Sequence, residues 1–184
     1  MILHNMLIWI LLLSGTVDPT QTATLYNVKQ GTVSFLSEAP LETIHASSKD
    51  AKGLLNTADN TFAFSVPNRT FHGFNSALQE EHFNENYMES DAYPNSTFNG
   101  KIIEDVDLSK DGVYDVRAKG NLDVHGVKQE RIVKCTVTTK ADVVRIQSDF
   151  TVLLEDHKIN IPRIVNEKLF PEIKVTVDLT LQPK

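Results

Sequence analysis

The chain has 184 residues, of which 41% are hydrophobic and 23% are charged, so it can bury a core without disulfides or metals. Its formal net charge is −6 at pH 7, and its Lys and Arg residues are scattered rather than clustered, which disfavours nucleic acid as a partner. Cys135 is the only cysteine, which excludes an intramolecular disulfide.

The first residues contain a short apolar run, residues 6–13, followed by small and polar residues that include Pro19. A bilayer-spanning helix needs about 20 apolar residues, so this run is too short for one. Although no Lys or Arg precedes it, the run and the stretch after it are typical of a secretory signal peptide. We therefore predict a signal peptide over residues 1–23, with Ala23 as the last residue removed, and one domain over residues 24–184.

From about Tyr26 onward, apolar residues recur at every second position, which is the pattern of strands with one apolar face. The best example is residues 114–124, where Tyr114, Val116 and Val124 share the apolar face. Further alternation extends over residues 144–154 and 173–181, and weaker alternation over residues 32–35, 41–46, 61–66, 97–103 and 131–138. The sequence therefore predicts eight or nine strands.

Pairs of turn-forming residues separate these strands. They are Gln30-Gly31, Asp59-Asn60, Asp111-Gly112, His125-Gly126 and Ala141-Asp142. Short connections make neighbouring strands antiparallel, and long antiparallel strands with one apolar face hide their edges most easily by closing into a barrel. We predict an all-β fold, an antiparallel barrel of about eight strands, with a two-sheet sandwich as the alternative.

One segment has helical periodicity instead. Residues 75–89 are predicted to form an amphipathic helix that packs on the barrel, with Tyr93-Pro94 ending it because a residue before proline avoids the α region. The apolar residues of this segment and its flank are Phe71, Phe74, Leu78, Phe83, Tyr87 and Met88. Its acidic residues, Glu80, Glu81 and Glu85, are expected to face solvent.

Candidate catalytic and metal-binding groups are few. Glu80, Glu81, His82 and Glu85 could in principle hold a metal, but a helical zinc motif needs a second histidine at i+4, so a solvated helix face is the favoured interpretation. Neither a G-x-S-x-G motif nor a glycine-rich phosphate loop occurs. Cys135 shares a strand face with other apolar residues, which indicates a buried, inert thiol. We predict no enzyme activity, no catalytic residue, no metal site and no cofactor.

Two sequence segments resemble a known family. Residues 82–94, followed by Ser-Thr-Phe-Asn-Gly-Lys at 96–101, are similar to one motif of the YceI-like family of polyisoprenoid-binding proteins. Residues 120–127, Gly-Asn-Leu-Asp-Val-His-Gly-Val, resemble the family's G-x-L-x-[IV]-H-G-V hairpin. Either motif alone is a weak signal, but the two in this order and spacing are specific, and the resemblance extends over about residues 24–182. Residues 161–171 depart from the family pattern, which leaves the ligand's identity open.

The resemblance implies a lipocalin-like, eight-stranded barrel exported to the periplasm of a Gram-negative bacterium. It also implies an apolar interior that accepts a polyisoprenoid or similar long-chain amphiphilic lipid, and no catalytic residue. On this interpretation the lipid-binding residues, chosen from the predicted inner face, are Phe35, Phe64, Phe98, Tyr114, Val116, Val124, Phe150 and Val152. Periodicity alone does not distinguish a hollow barrel from a filled one, so the alternative is a packed barrel, a stress-response or interaction protein without a ligand. The sequence also leaves open whether the protein forms a homodimer.

Overall fold

The computed structural model describes residues 25–162 and 167–184, and these form nine antiparallel strands and a short helical segment. The predicted signal peptide lies outside the described residues. Within them, no helix is long and apolar enough to cross a membrane. The strands are β1 Leu25–Glu38, β2 Thr43–Ser48, β3 Lys52–Asn56, β4 Thr61–Pro67, β5 Asn95–Ile102, β6 Gly112–Val124, β7 Val127–Lys140, β8 Val143–Leu153 and β9 Glu172–Pro183.

The nine strands fill eight positions of a closed barrel. Strand β1 pairs with β2 through residues 33–38 and with β3 through residues 25–27, so β2 and β3 together make one wall position. From β3 to β9 each strand pairs with the next, and β9 pairs with the other edge of β1. The predicted all-β, eight-stranded antiparallel barrel is therefore confirmed.

The predicted turn at Gln30-Gly31 is wrong, because both residues lie inside β1. The register between β1 and β9 shifts there, between Val28 and Gln30. A Cβ at Gly31 would collide with the backbone and side chain of Leu179. The glycine thus permits a close approach of two strands rather than a turn.

The alternating pattern of the sequence matches the two faces of the barrel wall. Along β6, Val116, Ala118 and Leu122 are buried, whereas Asp115 and Arg117 are exposed. The same inward-outward alternation places apolar residues of β8 and β9 inside. Burial of these side chains is the main source of stability for the barrel.

The two ends of the barrel differ. The closed end carries the β3–β4 and β7–β8 turns and the loop 103–111, whose Leu108 is fully buried in the core cluster. The open end carries the β1–β2 turn, the β6–β7 turn, and two longer connections, residues 68–94 and 154–171. The core at the closed end consists mainly of Tyr26, Leu55, Ile102, Leu108, Val116, Val137, Val144 and Leu181.

The helical segment at the open end is shorter than the predicted 75–89. Helix α1 (Ala77–His82) starts at Ser76, whose hydroxyl accepts a hydrogen bond from the Gln79 amide at 3.2 Å, and it continues as a π-helical turn over Phe83–Tyr87. The backbone of Glu89 adopts a left-handed conformation (φ 43°), so the helix ends before Tyr93-Pro94. Phe71, Phe74 and Phe83 pack around Phe35 of β1, with ring centroids 5.4 to 5.9 Å from that of Phe35.

Strands β7 and β8 separate toward the open end. Their ladder joins Thr136–Lys140 to residues 143–147, yet both strands continue beyond it. Past the ladder, the Ser148 hydroxyl donates to the carbonyl of Lys134, and the Arg131 guanidinium donates to the carbonyl of Thr151, each at 2.7 Å. We call this part of the wall, residues 129–135 and 148–153, the seam.

Candidate functional site

The interior of the barrel contains a cavity of about 560 Å³ above the closed-end core. This volume lies inside the range of about 300 to 1,000 Å³ that is typical of small-molecule sites. Its wall is built mainly from apolar side chains of the strands, and the helical segment contributes Phe83 and Met88 near the open end. The barrel is therefore hollow, and the packed-barrel alternative does not describe its interior.

Six of the eight predicted lipid-binding residues line this cavity, namely Phe35, Phe64, Phe98, Val124, Phe150 and Val152. Tyr114 and Val116 do not belong to its lining. The Tyr114 hydroxyl donates to the carbonyls of Asp107 (3.2 Å) and Lys110 (3.0 Å), which ties it to the closing loop, and Val116 is buried in the closed-end core. Alternation places both on the inner face, but it does not show which inner residues border the cavity.

The floor of the cavity lies at Ala118 on β6 and deeper on β7 and β8, at Val137 and Ile146. Along β6, Val124, Leu122 and Ala118 line the cavity, whereas the next inward residue, Val116, does not. Ala118 is paired in register with Ile102 of β5 and Val133 of β7. A small side chain at this position therefore leaves space for a ligand beside β6.

Several lining residues lie outside the patterns that sequence reasoning used. Ile159 and Leu169 belong to the irregular connection between β8 and β9, and Ile159 is buried although no periodicity surrounds it. Ile44 comes from β2, whose alternation is weak. At Ile159 and Leu169 the sequence shows only apolar residues in a loop, which does not indicate whether their side chains face the barrel interior or solvent.

The ionic groups of the lining lie at its open end. Among the described residues, the charged lining side chains are Glu42 and Lys168, and His82 lies on the nearby helix. Glu42 Oε1 accepts hydrogen bonds from Gln79 Nε2 at 2.5 Å and Asn75 Nδ2 at 3.3 Å, so it joins the β1–β2 turn to the helical segment. Below this level the wall is mainly apolar, and its polar groups are uncharged, such as the Ser148 hydroxyl on β8.

The Cys135 thiol lines the cavity wall on β7. Burial, with a smaller contribution from the negative charge of Glu104, raises the pKa of this thiol to about 11. A thiol with this pKa is protonated at neutral pH and is a poor nucleophile. No cluster of three or more His, Cys, Asp or Glu side chains suited to a metal occurs in the described parts of the chain.

The comparison with known domains agrees with this architecture. The YceI-like domain matches the sequence over residues 16–181. The chain belongs to the YceI-like family. The sequence matches no curated protein.

Solved structures show the same fold as this YceI-like chain. A polyisoprenoid binding domain from Saccharophagus degradans, implicated in plant cell wall breakdown, aligns with a TM-score of 0.71 at 16% identity, covering 86% of this chain and 98% of that one. BcnA from Burkholderia cenocepacia aligns with a TM-score of 0.67 at 13% identity, covering 82% and 95%. The YCEI protein of Campylobacter jejuni aligns with a TM-score of 0.59 at 13% identity, covering 73% and 82%.

The two motifs of the YceI-like family meet at the open end. The Tyr93 ring of the first motif packs edge-on against His125 of the second, with centroids 4.7 Å apart, and a Cβ at Gly126 (φ 70°) would collide with Tyr93. The imidazole of His125 is within hydrogen-bond distance of the His157 carbonyl, and that of His157 within hydrogen-bond distance of the Val127 carbonyl. These contacts fix the β6–β7 turn to the β8–β9 connection, so Tyr93, His125 and Gly126 support the open end without lining the cavity, whereas Phe83, Phe98 and Val124 of the same motifs line it.

Proposed function

We propose that this YceI-like protein is a carrier for a polyisoprenoid or similar long-chain amphiphilic lipid. The tail occupies the barrel cavity and the polar head lies at the open end. The observation that carries the proposal is the distribution of groups along the cavity: an apolar wall from Ala118 upward, with Glu42 and Lys168 at the entrance. Apolar burial supplies affinity, and the shape of the cavity supplies selectivity.

The energetics favour a long ligand. Each buried methylene-sized group contributes about 0.8 kcal/mol, so ten such groups contribute about 8 kcal/mol. Association costs roughly 4 to 15 kcal/mol in lost freedom. A short apolar molecule therefore gains too little to bind tightly, whereas an extended isoprenoid tail that fills the cavity gains enough.

Two further observations support the proposal. The structurally similar domain from Saccharophagus degradans is described as polyisoprenoid binding. In this chain, the inward aromatic side chains Phe62, Phe64 and Phe98 form a contiguous group with ring centroids 5.0 to 5.6 Å apart on one wall. Such a wall presents broad apolar surface of the kind that a branched hydrocarbon tail contacts well.

The direct test is to identify what the protein carries and then to block its site. Organic extraction of the purified protein and mass spectrometry of the extract should reveal a long-chain isoprenoid or similar amphiphile. Phe150→Trp should reduce binding of a fluorescent polyprenyl probe, because the larger ring occupies ligand space, while the thermal midpoint is retained. Ile132→Trp, on the outward face of β7, is the matched control and should bind normally. A parent protein that neither yields lipid nor binds the probe would refute the carrier function.

We also propose that the protein acts in the periplasm after removal of residues 1–23. The support is the apolar run at residues 6–13 and the small residues that follow it. N-terminal sequencing of the protein from its native host should place the mature N-terminus between Gly15 and Thr24. Recovery of an N-terminus at Met1 would contradict export.

A further inference from the structure

Four exposed apolar side chains lie at the open end of the barrel, and one of them, Leu78, also lines the cavity. Leu41 is 67% exposed, Leu78 is 57% exposed, Phe170 is 42% exposed and Leu153 is 37% exposed. Leu153 ends β8 at the open end, and the other three lie on the β1–β2 turn, on α1 and in the β8–β9 connection. We call these four residues the rim.

The rim is held together by contacts between separate segments. The Leu41 amide donates to the Glu167 carbonyl at 2.9 Å, and the Phe170 amide donates to the Ser37 hydroxyl at 2.9 Å. The hydrogen bond from Gln79 to Glu42 joins the β1–β2 turn to α1, next to Leu78. The apolar groups of the rim are therefore presented together on one end of the barrel rather than on independent loops.

We propose that the rim docks on the surface of a phospholipid bilayer, with the cavity entrance facing the membrane. This inference rests on the proposed function. Leu78 connects the rim to the cavity, because its side chain is exposed to solvent and also lines the cavity. A lipid tail that leaves a bilayer at this point passes from hydrocarbon to the cavity without crossing water, which removes the main cost of its transfer.

The charges near the rim favour a zwitterionic bilayer over an anionic one. Residues 77–87 contain Glu80, Glu81 and Glu85 and neither Lys nor Arg. In the described part of the open end, Lys174 is paired with Glu38, and Lys168 at the entrance is outnumbered by these three carboxylates. Docking should thus depend on insertion of apolar side chains, unlike the polybasic segments that bind anionic membranes. Increased salt should not release the protein from vesicles.

The test uses the full chain and vesicles of phosphatidylcholine that contain a fluorescent polyprenyl lipid. The rim variant carries Leu41→Ser and Phe170→Ser, neither of which lines the cavity. The control variant carries Val113→Ser and Ile132→Ser, which remove apolar residues of comparable exposure (69% and 56%) from outward positions of β6 and β7. Co-flotation with vesicles and the rate of lipid transfer are measured for both variants, and probe binding is measured separately with cyclodextrin as the donor.

We expect the rim variant to co-float with vesicles and take up lipid at least tenfold less well than the parent protein, while the control variant behaves like the parent. Equal uptake by rim and control variants would overturn the docking proposal. A parent protein that binds the probe from cyclodextrin yet never floats with vesicles would also overturn it and leave the carrier function intact. Failure of probe binding from cyclodextrin by the parent would instead remove the proposed function. If light scattering shows a dimer that the rim variant alone converts to monomer, the rim contacts a second copy of the chain and the membrane proposal is wrong.

Discussion

Replacement of Ala118 by phenylalanine should fill the lower part of the cavity beside β6. Ala118 is the deepest β6 residue of the lining, and Val116 below it is already packed. A phenyl group at this position points into the empty space and occupies about the volume of one five-carbon isoprene unit. At about 0.8 kcal/mol for each buried methylene-sized group, the lost contacts amount to about 4 kcal/mol for a tail that fills the cavity, or roughly a thousandfold in Kd.

The assay is a series of polyprenols of increasing length, each tested by displacement of a fluorescent probe. In the parent protein, affinity should rise with every added isoprene unit until the tail reaches the floor, and then level off. In Ala118→Phe the affinity should level off one unit earlier, whereas short polyprenols bind both proteins equally. Val113→Phe, on the outward face of the same strand, is the control and should give the parent profile.

Two results would refute this reasoning. An unchanged length profile would mean that the tail does not reach Ala118. A fall in the thermal midpoint of the ligand-free variant would mean that the floor is filled, because overpacking a dense core costs about 1 to 3 kcal/mol. If the space is empty, the added ring gains contacts, and the midpoint should stay the same or rise.

Three other predictions test the remaining parts of the structure. Leu108→Ala, at the fully buried centre of the closing loop, should lower the free energy of unfolding in urea by about 2 to 5 kcal/mol; a loss below 1 kcal/mol would show that the loop does not seal the barrel. The pKa of Cys135 is raised to about 11, so alkylation of its thiol by iodoacetamide should accelerate about tenfold for each pH unit between 7 and 10. A bound lipid should slow this reaction. A rate that levels off near pH 8.5 would contradict the raised pKa. Glu81→Ala, on the exposed face of α1, should change stability by no more than about 0.5 kcal/mol, and a larger loss on thermal unfolding would reveal a role for this carboxylate.

Alternation along β6, β8 and β9 predicts strands with one apolar face, and the length of these strands favours a barrel over a two-sheet sandwich. The alternation does not indicate how far along the barrel axis an inward residue lies. Tyr114, Val116 and Val124 share a face in the sequence, yet the first two pack in the core without bordering the cavity and the third lines it. The boundary between them depends on Leu108, which reaches the core from a loop without periodicity.

Glycine and loop residues account for the other differences between the predicted and the observed fold. Gly31 has the sequence character of a turn, but its role depends on the approach of β9, which is more than 140 residues away along the chain. The division of one barrel position between β2 and β3 follows from pairing along a single long strand, β1. Both features result from contacts between distant segments, which local patterns do not contain.

The seam affects what fixes the circumference of the barrel. Where strands are joined by a complete ladder, the spacing of backbone hydrogen bonds fixes the circumference. Toward the open end, two side chains, Ser148 and Arg131, bridge β7 and β8 instead. The Arg131 guanidinium lies between the Thr151 carbonyl and the Asp156 carboxylate, with Nη1 3.7 Å from Asp156 Oδ2. The circumference of the wall is therefore fixed by backbone pairing at the closed end and by side-chain contacts between β7 and β8 toward the open end.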